Sequence, residues 1–196
     1  MKIVSVRFPT DVIVGDYQFA DKVKDQVFSA LKVSAPISKD NTNVKAFHTE
    51  WNWQPDNLTF RNLKSYIREQ IETHWKPGSQ SDGQRRWIRL NNFWANVYSK
   101  GEYAKPHCHR PNDFSFAYFV KAKWYDSPLI FTESGKRIRP KEGRFVAFPS
   151  FLEHRVPKHR YNDTRITLSG NLDIDMSRTG LKYQSAVLFL DKQKQK

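Results

Sequence analysis

The chain has 196 residues, a length that suits one domain, and its 38% apolar and 14% aromatic content supplies a core and argues against disorder outside the ends. Lys and Arg number 33 against 20 Asp and Glu, a formal net charge of +13 that favours anionic partners without choosing among nucleic acid, acidic protein and carboxylated small molecules. Cys108 is the single cysteine, which excludes an intramolecular disulfide and a paired-cysteine zinc site; with no long apolar run in the chain, the reading is a cytoplasmic protein without a membrane partner.

Residues 1–9 alternate as a strand. After a turn expected at Gly15-Asp16, Ala20, Val23, Val27, Ala30 and Leu31 recur at helical spacing, so a helix is predicted over about 17–32. Residues 47–53 are aromatic and extended, and a second amphipathic helix is predicted over about 57–75 with Leu63, Tyr66, Ile67 and Ile71 on its stripe and Asn57 or Thr59 as cap. The polar, turn-rich segment 76–84 reads as a loop.

From there the periodicity changes from helical to alternating. Residues 86–98 place Ile88, Leu90, Asn92, Trp94, Asn96 and Tyr98 on one face of a strand, and further strands are predicted at 114–120, 128–132, 144–149, 154–156, 163–171 and 182–190. Many short strands without a βαβ rhythm predict a mainly β sandwich or barrel with the two helices packed outside, as one domain over 1–196 with helical support in 17–75 and a β core in 86–190.

Six histidines are present, and His48, His74 and His159 read as surface or satisfied core residues. His107 and His109 stand two apart, so in an extended segment their rings point to one side, and His154 follows 45 residues after His109 where a β fold can bring it opposite. Converging imidazoles suit a first-row transition metal. In the segment 163–171, Arg165, Thr167, Ser169 and Asn171 share one face, and an arginine followed by hydroxyls on an inward face calls for an anion; its planar fork matches a carboxylate.

These residues carry a family resemblance. Trp94-x-Asn96-x-Tyr98-x-x-Gly101, then His107-Cys108-His109, Tyr118-Phe119-Val120, Pro140-x-x-Gly143, Phe148-Pro149-Ser150-Phe151-Leu152-Glu153-His154 and Arg165-Ile166-Thr167-Leu168-Ser169-Gly170-Asn171 resemble the 2-oxoglutarate and Fe(II) dependent oxygenases of short bacterial and phage proteins, over about two-fifths of the chain. The resemblance implies a double-stranded β-helix (jelly roll), Fe(II) and the anionic cosubstrate 2-oxoglutarate as cofactors, and hydroxylation of a substrate with release of succinate and carbon dioxide. It further implies His107, His109 and His154 as catalytic iron ligands, Arg165 as clamp on the distal carboxylate, and Asn96, Tyr98 and Ser169 as cosubstrate contacts. The wider superfamily has a carboxylate where this chain has His109, which leaves Asp113 as reserve ligand or plain turn residue, and Arg110 interrupts the stretch that follows.

Two other readings compete. A cupin would use His107, His109, Asp113 and His154 without 2-oxoglutarate and leave Arg165 an ordinary charge. A non-catalytic basic or virion-associated module would use the clusters at 85–86, 137–141 and 158–160, with Trp124-Tyr125 beside Lys121 and Lys123 as its best stacking surface. The primary substrate, whether protein side chain, metabolite or nucleic acid, is not legible in the sequence.

Overall fold

The computed structural model describes residues 1–7, 10–34, 42–53, 55, 57–74 and 87–175. The expected loop at 76–84, the strand at 182–190 and the basic pair at 85–86 lie outside the described residues.

Among the described residues the elements follow in the order β1 Lys2–Arg7, β2 Thr10–Asp16, α1 Ala20–Leu31, β3 Val44–Lys45, β4 Phe47–His48, α2 Leu58–His74, β5 Ile88–Tyr98, β6 Tyr103–His107, β7 Phe114–Lys121, β8 Leu129–Phe131, β9 Arg137–Ile138, β10 Arg144–Pro149, β11 His154–Val156 and β12 Arg165–Ile174. They form a seven-stranded sheet in the order β1-β2-β10-β7-β12-β5-β4 and a five-stranded sheet in the order β3-β6-β11-β8-β9. Chain neighbours such as β5 and β6, or β10 and β11, fall in different sheets, which is the winding of a jelly roll.

The large sheet is covered on both faces. On one, α1 buries Val23 and Val27, and α2 buries Phe60, Leu63, Ile67 and Ile71 at helical spacing against Phe93, Phe116 and Leu168 of the sheet. Asn57 caps α2, its Oδ1 accepting from the Phe60 amide at 3.0 Å, which decides between the two expected caps. On the other face Val12, Val14, Phe119, Val146 and Phe148 meet Leu129, Phe131 and Val156 of the small sheet.

Three expectations are corrected. Gly15 and Asp16 are not a turn but the end of β2, paired with Phe145 and Arg144 of β10. A Cβ at Gly15 would come within 2.5 Å of the Phe145 ring, so the glycine serves close packing. Strands β2, β3, β6 and β9 were not expected. In β2 the consecutive Val12, Ile13 and Val14 are all buried, because an interior strand covered on both faces loses its alternation, and β6 contains Pro106, which argues against a strand in sequence.

The third correction concerns which side chains share a face. The β5–β12 register shifts between Asn171, paired with Asn92, and Leu172, paired with Leu90, leaving Asn91 as an extra residue. Ile88 and Leu90 therefore join Phe93 and Ala95 on the helix side, while Asn92, Trp94, Asn96 and Tyr98 face the gap between the sheets. Among the described residues no helix is long and apolar enough to cross a membrane.

Candidate metal centre and anion cradle

The small sheet brings two distant histidines together by register. His107 at the end of β6 is paired with His154 at the start of β11, and paired residues of an antiparallel ladder point to the same face. Their ring centres lie 4.5 Å apart. His109 lies just beyond β6, where its amide donates to the Ser150 carbonyl at 2.8 Å and its own carbonyl accepts from the Asn112 side chain at 2.8 Å. These bonds bring its ring to 5.0 Å from His107 and 5.1 Å from His154. One nitrogen from each ring falls within 4.8 Å of the others.

The protonation of the three rings suits a cation. Nδ1 of His107 lies 2.6 Å from the Lys105 carbonyl and Nδ1 of His154 lies 2.9 Å from the Leu152 carbonyl. A carbonyl only accepts, so both Nδ1 atoms carry the proton and both Nε2 atoms keep a lone pair. Burial holds all three rings in the neutral form: it lowers His107, takes His154 well below the ordinary imidazole range with help from its two neighbours, and together with His107 lowers His109 to about 3. Three neutral imidazoles with converging lone pairs are a ligand set for a first-row transition metal.

The same cavity, about 310 Å³, holds an unsatisfied cation at its other end. Arg165 begins β12 opposite Tyr98 and is only 1% exposed, with its guanidinium packed over the rings of Tyr98 at 4.9 Å and Phe119 at 5.2 Å. Its Nε and Nη1 donors are buried and have no hydrogen-bond partner among the described residues. A buried charge with two bare donors is costly, and a bidentate carboxylate is the group that removes the cost. The cupin reading treats Arg165 as an ordinary charge; the structure makes it one of the largest fully buried side chains of the molecule.

Between the two ends runs a polar ladder. Asn96 donates towards Thr167 at 3.4 Å and Ser169 at 3.3 Å, while its own Oδ1 stays without a partner. Tyr98 lines the cavity beside Arg165; burial raises its phenol and the guanidinium opposes that shift. Farther along, Ser115 bonds Ser150 at 2.7 Å and Asn171 at 2.8 Å, so the loop that holds His109 is braced from the large sheet.

Asp113 stands elsewhere. It is exposed, its Oδ2 accepts from the Ile174 amide at 2.8 Å, and it belongs neither to the histidine cluster nor to the cavity wall. Tyr118 falls on the helix side, 6.5 Å from Tyr17 ring to ring, so it serves the core. Sequence reasoning missed Trp51, whose ring lies 4.7 Å from Trp94 and 4.4 Å from His48 at the cavity wall. Nothing in its local spacing signals this position; only the pairing of β4 with β5 and the Asn52–Phe93 bridge bring it there.

No family model matches the chain, and no curated protein does. Solved structures do. A viral collagen prolyl hydroxylase from Paramecium bursaria Chlorella virus-1, in complex with 2-oxoglutarate, superposes with a TM-score of 0.62 over 82% of this chain and 94% of its own, at 14% identity. The fold is the double-stranded β-helix. A prolyl-4-hydroxylase from Pseudomonas putida superposes at 0.57 over 83% of this chain and 92% of its own, at 14% identity. HygX from Streptomyces hygroscopicus, with nickel and 2-oxoglutarate bound, does so at 0.61 over 85% and 84%, at 8% identity. At these identities the double-stranded β-helix is what the likeness establishes.

Proposed function

We propose that the chain is a single-domain 2-oxoglutarate and Fe(II) dependent dioxygenase that hydroxylates a substrate held at the open side of the cavity. The observation that carries the reading is Arg165, a fully buried guanidinium with two unpartnered donors, lining the same cavity as three neutral histidines with converging nitrogens. Nickel and 2-oxoglutarate bound in HygX, and 2-oxoglutarate bound in the viral hydroxylase, support it.

In this reading His107, His109 and His154 hold the iron through ring nitrogens, with the Lys105 and Leu152 carbonyls fixing the tautomers of the first and last. Arg165 grips the distal carboxylate of 2-oxoglutarate, and Asn96, Tyr98 and Ser169 orient the chain between clamp and metal. Iron and cosubstrate together supply the oxidation, in which dioxygen converts the oxo acid to succinate and carbon dioxide and a substrate C–H bond to C–OH. The protein's part is orientation and exclusion of water: Trp94, Phe148 and Leu129 give the cavity apolar walls, and Trp51, 41% exposed, stands at its rim. Three imidazoles would bring no negative charge to a bound metal, whose charge the dianionic cosubstrate would offset. The cytoplasm is the proposed location.

Anaerobic titration with Fe(II) and 2-oxoglutarate tests this. A visible charge-transfer band is expected in the wild type. Arg165→Ala should weaken 2-oxoglutarate binding by about 30-fold or more, since leaving a buried charge unpaired costs roughly 2–5 kcal/mol. A wild-type protein that binds Fe(II) but shows neither band nor 2-oxoglutarate binding would sink the dioxygenase reading.

A further inference from the structure

A second group of ligand atoms sits apart from the three histidines. Asp126 lies in the β7–β8 loop, and His159 and Asp163 lie in the β11–β12 loop. A ring nitrogen of His159 and one carboxylate oxygen from each aspartate fall within 4.8 Å of one another. His159 is 1% exposed and Asp126 3%.

What distinguishes this group from an ordinary acidic cluster is its hydrogen bonding. His159 Nε2 lies 2.7 Å from the Asp163 carbonyl, so Nε2 carries a proton and Nδ1 is the ring nitrogen left to bind a metal. That Nδ1 is buried and has no partner. Asp126 Oδ2 accepts from the Lys123 amide at 2.8 Å, and its Oδ1 is buried without a partner. Asp163 Oδ2 pairs with Lys123 Nζ at 2.6 Å, and its Oδ1, buried and without a hydrogen-bond partner among the described residues, lies 3.6 Å from His159 Nε2. Each residue therefore has one atom committed to the protein and one buried atom, His159 Nδ1, Asp126 Oδ1 and Asp163 Oδ1, without a hydrogen-bond partner among the described residues. Asp126 is buried and holds no salt bridge among the described residues, and it meets the Arg165 guanidinium only through space.

We propose that Asp126, His159 and Asp163 form a second, structural cation site for a divalent first-row metal such as Zn(II) or Mn(II). Two carboxylate oxygens and one imidazole nitrogen are a mixed donor set that such ions accept. Bound there, the ion joins two loops, and the His159 backbone already extends the connection to a third through bonds of 2.7 Å each, from its amide to Glu102 and from Gly101 to its carbonyl. Arg165 opens the strand two residues after Asp163, and Asp126 acts electrostatically on its guanidinium, so the ion would anchor the loop that delivers the carboxylate clamp.

The test separates this site from the histidine cluster. In the double variant His107→Ala/His109→Ala, where His154 alone is left of the first cluster, titration with Zn(II) followed by calorimetry should still find about one equivalent per chain, and the thermal unfolding midpoint should rise with Zn(II). Adding Asp126→Asn, which is isosteric and removes the charge, should abolish both effects while far-UV circular dichroism shows the chain folded. His159→Gln provides an independent second removal. The proposal is overturned if the double variant takes up no Zn(II) or Mn(II), or if Asp126→Asn and His159→Gln leave its uptake unchanged. A nitrogen-15 spectrum showing His159 as an imidazolium in Zn(II)-saturated protein would also overturn it, because a proton would then fill the gap. Loss of the Fe(II) and 2-oxoglutarate band leaves this result untouched, since neither variant readout depends on it.

Discussion

An arginine buried with two bare donors is a liability until something arrives to pair with them. Arg165→Met, apolar and similar in length, should therefore stabilise the ligand-free protein by about 1–4 kcal/mol in urea unfolding and remove the stabilisation that the proposed 2-oxoglutarate binding predicts for the wild type. If Arg165 were only structural, the same change would destabilise. The histidines predict a pH effect of definite sign. His109 has an ordinary imidazole value of 6.5 unfolded and about 3 folded, so below pH 6.5 the unfolded chain binds the extra proton and stability of the metal-free protein falls until about pH 3, whereas above 6.5 it is flat in this group. Unfolding followed across that window should show the slope, and His109→Gln should reduce it. For the metal itself, His109→Ala should cost about 100-fold or more in affinity and Asp113→Ala about twofold or less, because the Asp113 carboxylate is spent on the Ile174 amide.

At the scale of elements, the pairing of β5 with β12 decides which side chains enter the cavity. Gly170 lies on that seam, where a Cβ would come within 2.5 Å of the Phe116 ring and 2.7 Å of the Asn92 carbonyl oxygen. Gly101, at φ +85°, has open space around it. Gly101→Ala should thus cost about 1 kcal/mol from backbone strain alone, and Gly170→Ala distinctly more, with loss of 2-oxoglutarate affinity as the seam spreads. Alternation from Asn92 to Tyr98 and from Arg165 to Asn171 was legible in the sequence because each strand has one polar, cavity-facing side and one apolar side. The bulge at Asn91 was not, since an extra residue leaves no mark in a string that still alternates. Strand β2 escaped for the opposite reason: coverage on both faces erased its period.

The molecule as a whole separates support from chemistry across one sheet. Ile67, fully buried under α2, packs on the helix side and lies outside the cavity wall. Ile67→Ala should destabilise by about 2–5 kcal/mol while leaving 2-oxoglutarate affinity of the folded fraction unchanged, as paired unfolding and binding measurements would show. The sequence by itself determined the two helices, most of the strands, the mainly β class and the identity of the titratable and cationic side chains, because each of these rests on periodicity or residue chemistry within a short window. It also indicated that His154 could face His107 across a β fold. Only the tertiary structure decided that Asp113 turns away, that Trp51 joins the cavity wall, that Arg165 lies buried with bare donors, and that Asp126 meets His159. Those facts depend on which strands pair and in what register, and register is set by long-range packing between residues far apart in the chain, which local patterning does not encode.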